Sequence, residues 1–144
     1  MTKKRILVID DEPSITRTMK VNLERTGVYT VGTENHAPHA LAAARQFQPD
    51  LILLDVMMPD MDGGEVAGEI QSDPALRHVP IVFLTAIVST QETGGEYLES
   101  GGQTFIAKPV NLDSLVKCIE ENTRELSESE GGEDYFSEGS DAVS

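Results

Sequence analysis

Three stretches of this 144-residue chain are apolar at consecutive rather than alternate positions: RILVID (5–10), LILLD (51–55) and IVFLT (81–85). Consecutive apolar residues mark strands covered on both faces, as in a parallel sheet. YTVGT (29–33) and TFIA (104–107) are more polar, as outer strands would be. Segments of helical period lie between them. PSITRTMKVNLERTG sets Ile15, Met19 and Leu23 at helical spacing, with Pro13 near its start and Gly27 as a stop. HAPHALAAARQF is alanine-rich, with Asn35 predicted as its cap and Pro38 tolerable in its first turn. GGEVAGEIQS and TQETGGEYLESGG are read as helical from their place in the alternation, despite internal glycines. NLDSLVKCIEENTREL puts Leu112, Leu115, Val116 and Ile119 on one face, with Asn111 as cap.

A strand and a helix repeated five times predict an α/β fold, an open doubly wound (βα)5 sheet of five parallel strands. Right-handed crossovers restrict the topologies, and the common five-strand order is 2-1-3-4-5. Ligands in such sheets bind beyond the carboxyl ends of the strands, where the winding reverses. That rim is where chemistry is expected.

Charge is unevenly spread. The chain carries 25 acids against 11 bases, net −14, and residues 126–144 hold six of the acids and no base. Residues 1–125 are therefore read as the folded domain, and 126–144 as an acidic, disordered, solvating tail. The acidic balance disfavours direct binding to nucleic acid or an anionic membrane. No apolar run approaches the ~20 residues of a membrane helix, and the run Ile6–Ile9, ending in acids, is no signal peptide. The lone Cys118 excludes an internal disulfide, and a cytoplasmic location is expected.

The first strand ends in Asp10 and Asp11, followed by Glu12, and the third ends in Asp55. Adjacent strands lie only ~5 Å apart, so these carboxylates crowd together unless a cation holds them. An all-oxygen ligand set suits a hard ion, with Mg²⁺ first. Thr85 ends the fourth strand and Lys108 follows the fifth, placing a hydroxyl and an ammonium at the same rim. A carboxylate so placed can attack phosphorus while a metal and a lysine share the developing charge.

VIDDEP, DLILLDVMMPDMDG, PIVFLTA and FIAKP, in that order, resemble the receiver domain of bacterial two-component response regulators, over about residues 4–124. The resemblance implies a flavodoxin-like fold and a phosphorylation-dependent signalling switch, with Asp55 receiving a phosphoryl group from a phosphohistidine of a sensor histidine kinase. It implies Mg²⁺ held by Asp11, Asp55 and the main-chain carbonyl of Met57, with Asp10 acting through water. It assigns Thr85 and Lys108 to the phosphoryl oxygens and Phe105 to the aromatic whose rotamer accompanies the switch. The implied output surface, for a downstream protein or a homodimer, is the fourth helix, fifth strand and fifth helix.

The chain departs from that family at several positions. Met57 and Ile87, each two residues beyond a site residue, flank the path of a hydrolysing water in the family. Their apolar side chains predict a long-lived phosphoryl state. Gly94-Gly95 and SGGQTF predict a short or mobile fourth helix. Met57 also stands where an aspartate-nucleophile phosphatase would carry its general acid, so catalysis beyond self-phosphorylation and slow dephosphorylation is not expected. A phosphorelay intermediate uses the same site with another partner. An N-terminal receiver of a longer regulator is a further alternative, although no output module fits in the 20 residues after the fifth helix. Asp60 and Asp62 are assigned to the loop and cap of the third helix. His36, His39 and His78 fall outside the rim and are read as surface or helix-start residues. Tyr135 and Phe136 are the aromatic residues of the tail.

Overall fold

The computed structural model describes residues 2–86, 98–100 and 102–124. The acidic tail, Ile87 and Gly94-Gly95, and with them the expectations for the fourth helix, lie outside the described residues. Strands β1 (Lys4–Ile9), β2 (Tyr29–Glu34), β3 (Leu51–Asp55), β4 (Ile81–Thr85) and β6 (Gln103–Ala107) pair in parallel, in the order β2-β1-β3-β4-β6. This is the expected 2-1-3-4-5 arrangement, with β6 as its fifth member.

One short strand was not expected. β5 (Leu98–Ser100) pairs antiparallel with β6 at the sheet edge, where position alone had suggested helix. Ser100 pairs with Gln103, and Gly102, directly before Gln103, has φ +79°. Hairpin turns favour positive φ, which glycine supplies, so Gly102 favours a reversal over a continuing helix.

Alternate residues of the central strands feed opposite faces. Ile6, Val8, Leu51, Leu53, Val82 and Leu84 pack against Met19 and Leu23 of α1 (Pro13–Arg25) and against Leu115, Cys118 and Ile119 of the C-terminal helix (Leu112–Asn122). Leu7, Ile9, Ile52, Leu54 and Phe83 face α2 (Ala40–Phe47) and α3 (Gly63–Ser72). Burying a large aliphatic side chain contributes about 1.5–3 kcal/mol, so this two-sided core offsets the cost of holding carboxylates at its rim.

Helix ends follow local chemistry. Pro13 sits in the first turn of α1, and Asn111 accepts a hydrogen bond from the Ser114 N–H to cap the C-terminal helix. Asp62 and Glu65 form a reciprocal capping box on α3. Asn35 is not the cap of α2. A 3₁₀ turn (Ala37–His39) precedes that helix, and the Asn35 amide instead donates to the Asp10 carbonyl at 2.8 Å and to Thr16 Oγ1 at 3.0 Å. The amide thereby ties the end of β1 to α1. A further network anchors the C-terminal helix: Glu120 accepts from the Tyr29 hydroxyl at 2.6 Å and from Lys4 Nζ at 3.0 Å. No helix among the described residues is long and apolar enough to cross a membrane.

Candidate phosphoacceptor site

The parallel register sets Ile9 beside Leu54, so the carboxylates one step beyond, Asp10 and Asp55, meet at the same rim. Both are buried, Asp10 completely, and Asp11 is half-buried beside them. One carboxylate oxygen from each of the three lies within 4.8 Å of the others. Lys108 reaches over from the end of β6. Its ammonium is 2.8 Å from Asp10 Oδ2 and 3.2 Å from Asp55 Oδ1. The Lys108 backbone is fixed by its N–H, which donates to the Thr85 carbonyl at 2.9 Å.

The electrostatics follow from this crowding. Burial, and then the neighbouring Asp10 charge, push the Asp55 carboxyl above the ordinary carboxylate range, while Lys108 and the Met57 N–H oppose them. Burial alone would depress the Lys108 ammonium, but Asp10 and Asp55 more than reverse it and hold that group above its usual value. Asp10 Oδ1 accepts from the Glu12 N–H at 3.0 Å. Among the described residues, Asp10 Oδ2 is the buried side-chain polar atom that lacks a hydrogen-bond partner, and its charge is met by the nearby ammonium. Three carboxylates drawn together at one rim, offering only oxygen ligands, fit a hard divalent cation.

The expected residues converge. Asp11, Glu12, Asp55, Met57, Thr85 and Lys108 all line one open cleft of about 280 Å³. Thr85 is buried at the cleft floor, and Met57 is 70% exposed at its mouth. The Met57 N–H lies 3.4 Å from Asp55 Oδ1. Phe105 is half-buried, its ring stacked on Phe83 at 5.4 Å between centroids. Glu12 is exposed, and His78 is exposed in the loop between α3 and β4.

Three residues at the site are not marked as such by the sequence. The Asn35 amide bridges the Asp10 carbonyl and Thr16 Oγ1, and neither Asn35 nor Thr16 carries a motif that would mark it. Gly63 begins α3 directly behind the Asp55 peptide. A Cβ there would lie 2.6 Å from the Asp55 carbonyl oxygen and 2.9 Å from Val56 Cα, and the Gly63 N–H donates to the Val56 carbonyl at 2.7 Å. A glycine at the first position of a helix that follows a site loop was the available signal.

Comparison with known proteins agrees with this geometry. Residues 6–120 match the family described as the response regulator receiver domain. The chain is 40% identical over 120 residues to the response regulator PleD of Caulobacter vibrioides, covering 83% of this chain and 26% of that protein. It is 30% identical over 117 residues to the polar-differentiation response regulator DivK of Brucella anthropi, covering 81% of this chain and 93% of DivK. The solved structure of Vibrio cholerae chemotaxis protein CheY4 superposes with a TM-score of 0.70 at 29% identity, over 83% of this chain and 98% of that one. The chain thus spans about a quarter of PleD but nearly all of DivK.

Proposed function

The chain belongs to the response regulator receiver domains, a family of phosphorylation-based signalling modules, and on that premise we propose that Asp55 is its phosphoacceptor. The observation that carries this reading is the convergence of Asp11, Asp55 and Lys108 on one cleft at the end of a buried strand, with the buried Asp10 carboxylate paired to the same Lys108. In the proposed reaction an Asp55 carboxylate oxygen attacks phosphorus of a phosphohistidine on a sensor kinase. The new O–P bond forms as the P–N bond breaks, and the electron pair of that bond returns to the imidazole nitrogen.

Asp10, Asp11 and Asp55, with the Met57 carbonyl, would hold Mg²⁺, which supplies charge neutralisation for the phosphoryl oxygens. The residues of the chain do the rest. Lys108 orients Asp55 before transfer and afterwards meets a phosphoryl oxygen. The Thr85 hydroxyl meets another. Phosphorylation adds about −2 charge at a rigid rim, which draws Thr85 and Lys108 inward and shifts Phe105 from its stack on Phe83. The population shift is read by a partner that binds one state better, on β6, the C-terminal helix and the segment before β5. The chain catalyses its own phosphorylation and slow dephosphorylation and turns over no separate substrate.

A small phosphoramidate or acyl phosphate donor with Mg²⁺, followed by intact mass, tests the proposal. One Mg²⁺-dependent phosphoryl adduct is expected, absent in a folded Asp55→Asn variant. An adduct of equal yield in that variant would remove Asp55 from its role.

A further inference from the structure

The structure brings together a second set of metal-ligating side chains that the phosphoacceptor chemistry does not use. We propose that Glu34, His36 and His39 form a binding site for a divalent transition-metal ion of the Zn²⁺ class. One carboxylate oxygen of Glu34 and one nitrogen from each imidazole lie within 4.8 Å of one another. Glu34 Oε2 is 3.6 Å from His36 Nδ1 and 3.8 Å from His39 Nδ1. Neither distance is a hydrogen bond. Both are close to a coordination spacing: zinc–nitrogen and zinc–oxygen bonds of about 2.0–2.2 Å in a tetrahedron put neighbouring ligand atoms about 3.3–3.5 Å apart. The remaining few tenths of an ångström require only small rotations of two imidazoles that are 69% and 68% exposed.

The backbone prepares this arrangement. Glu34 is the last residue of β2, and its carbonyl accepts from the Asp10 N–H at 3.1 Å, so the strand end is fixed. Its carboxylate is also held by the His36 N–H at 3.0 Å, which orients Oε2 toward the rings. Residues three apart eclipse in a 3₁₀ turn. The His39 N–H closes that turn on the His36 carbonyl at 2.9 Å, with Pro38 restricting it and buried Ala37 anchoring it. Two imidazoles three positions apart therefore stand over one carboxylate. Two nitrogens and one oxygen select a borderline ion over Mg²⁺, which prefers oxygen alone. Water completes the fourth position. This site differs in ligand chemistry from the all-oxygen cluster of Asp10, Asp11 and Asp55.

The test is a Zn²⁺ titration of the full chain in excess Mg²⁺, by calorimetry and by NMR of the histidine side chains. The chain has three histidines, so His78 serves as an internal control. One equivalent of Zn²⁺ is expected to move the His36 and His39 ring resonances and leave those of His78 unchanged. The double variant His36→Gln, His39→Gln is expected to lose at least about tenfold in affinity, since even outer-sphere changes at metal sites cost about 10–100-fold. Its far-ultraviolet circular dichroism should match the parent, because both side chains are exposed. Zn²⁺ affinity unchanged in that variant, or equal response of all three histidines, would overturn the proposal.

Discussion

Replacing Lys108 with methionine keeps the side-chain length and removes the charge that separates two buried carboxylates. The Asp10 and Asp55 oxygens lie within 4.8 Å of one another, and at an effective dielectric of about 20 their unscreened repulsion is roughly 3–4 kcal/mol. Removing one partner of a buried ion pair costs about 3–5 kcal/mol in comparable settings. The Lys108 side chain is only 18% exposed, so a loss of about 2–4 kcal/mol at neutral pH without divalent ions is expected. The pH dependence has a definite sign. Asp55 already sits above its unfolded value, so the folded state binds its proton more tightly than the unfolded chain does. Its contribution to stability therefore falls as pH rises through that range. Loss of Lys108 raises Asp55 further, so the deficit should be largest near neutrality and shrink on mild acidification. Mg²⁺ should rescue the variant more than the parent, because no ammonium then competes for Asp10 and Asp55. Urea unfolding at two pH values, with chelator or millimolar Mg²⁺, measures all of this. A loss under about 1 kcal/mol that is independent of both pH and Mg²⁺ would refute the reasoning.

Three further outcomes are expected. The Asp55 phosphoryl group should persist for minutes or longer, and Met57→Asn should shorten its lifetime severalfold by orienting the attacking water; intact mass against time measures both. Gly63→Ala forces a methyl against the Asp55 peptide and should cost about 1–3 kcal/mol in urea unfolding, whereas Gly68→Ala, with open space around it, should be neutral or stabilising. Burial pushes Glu120 up, but the Tyr29 hydroxyl and Lys4 together pull it below its ordinary 4.5, so its stabilisation is complete above that value and lost as pH falls through the lower folded one. The stability difference between the parent and Glu120→Gln should thus be constant near neutrality and close on acidification, as followed by unfolding at stepped pH.

The sheet was legible because its strands are covered on both faces. LILLD is apolar up to its last residue, and a charge at its tip has a meaning only if the tip reaches a rim. Strand order alone places Asp10 and Asp55 together, and Thr85 and Lys108 follow from the same rule. What the sequence concealed depends on contacts between distant segments. Asn35 has the composition of a helix cap, but the end of β1 offers its amide a carbonyl and a hydroxyl at once. Tertiary bonding therefore outweighs the local preference. β5 runs against the alternation, which suggests a helix there, because Gly102 at positive φ reverses the chain before Gln103. His36 and His39 read as isolated surface residues, since neither period nor motif shows that a 3₁₀ turn brings them beside Glu34.

The measurement that tests the central claim most directly is chemical trapping of the phosphorylated residue. Borohydride reduces an aspartyl phosphate to homoserine, leaves ordinary carboxylates untouched, and the product is located by peptide mass. The account predicts homoserine at position 55, formed only in protein exposed to both donor and Mg²⁺. Homoserine at Asp10, Asp11 or Asp60 instead, or a phosphoryl adduct that resists reduction altogether, would contradict it.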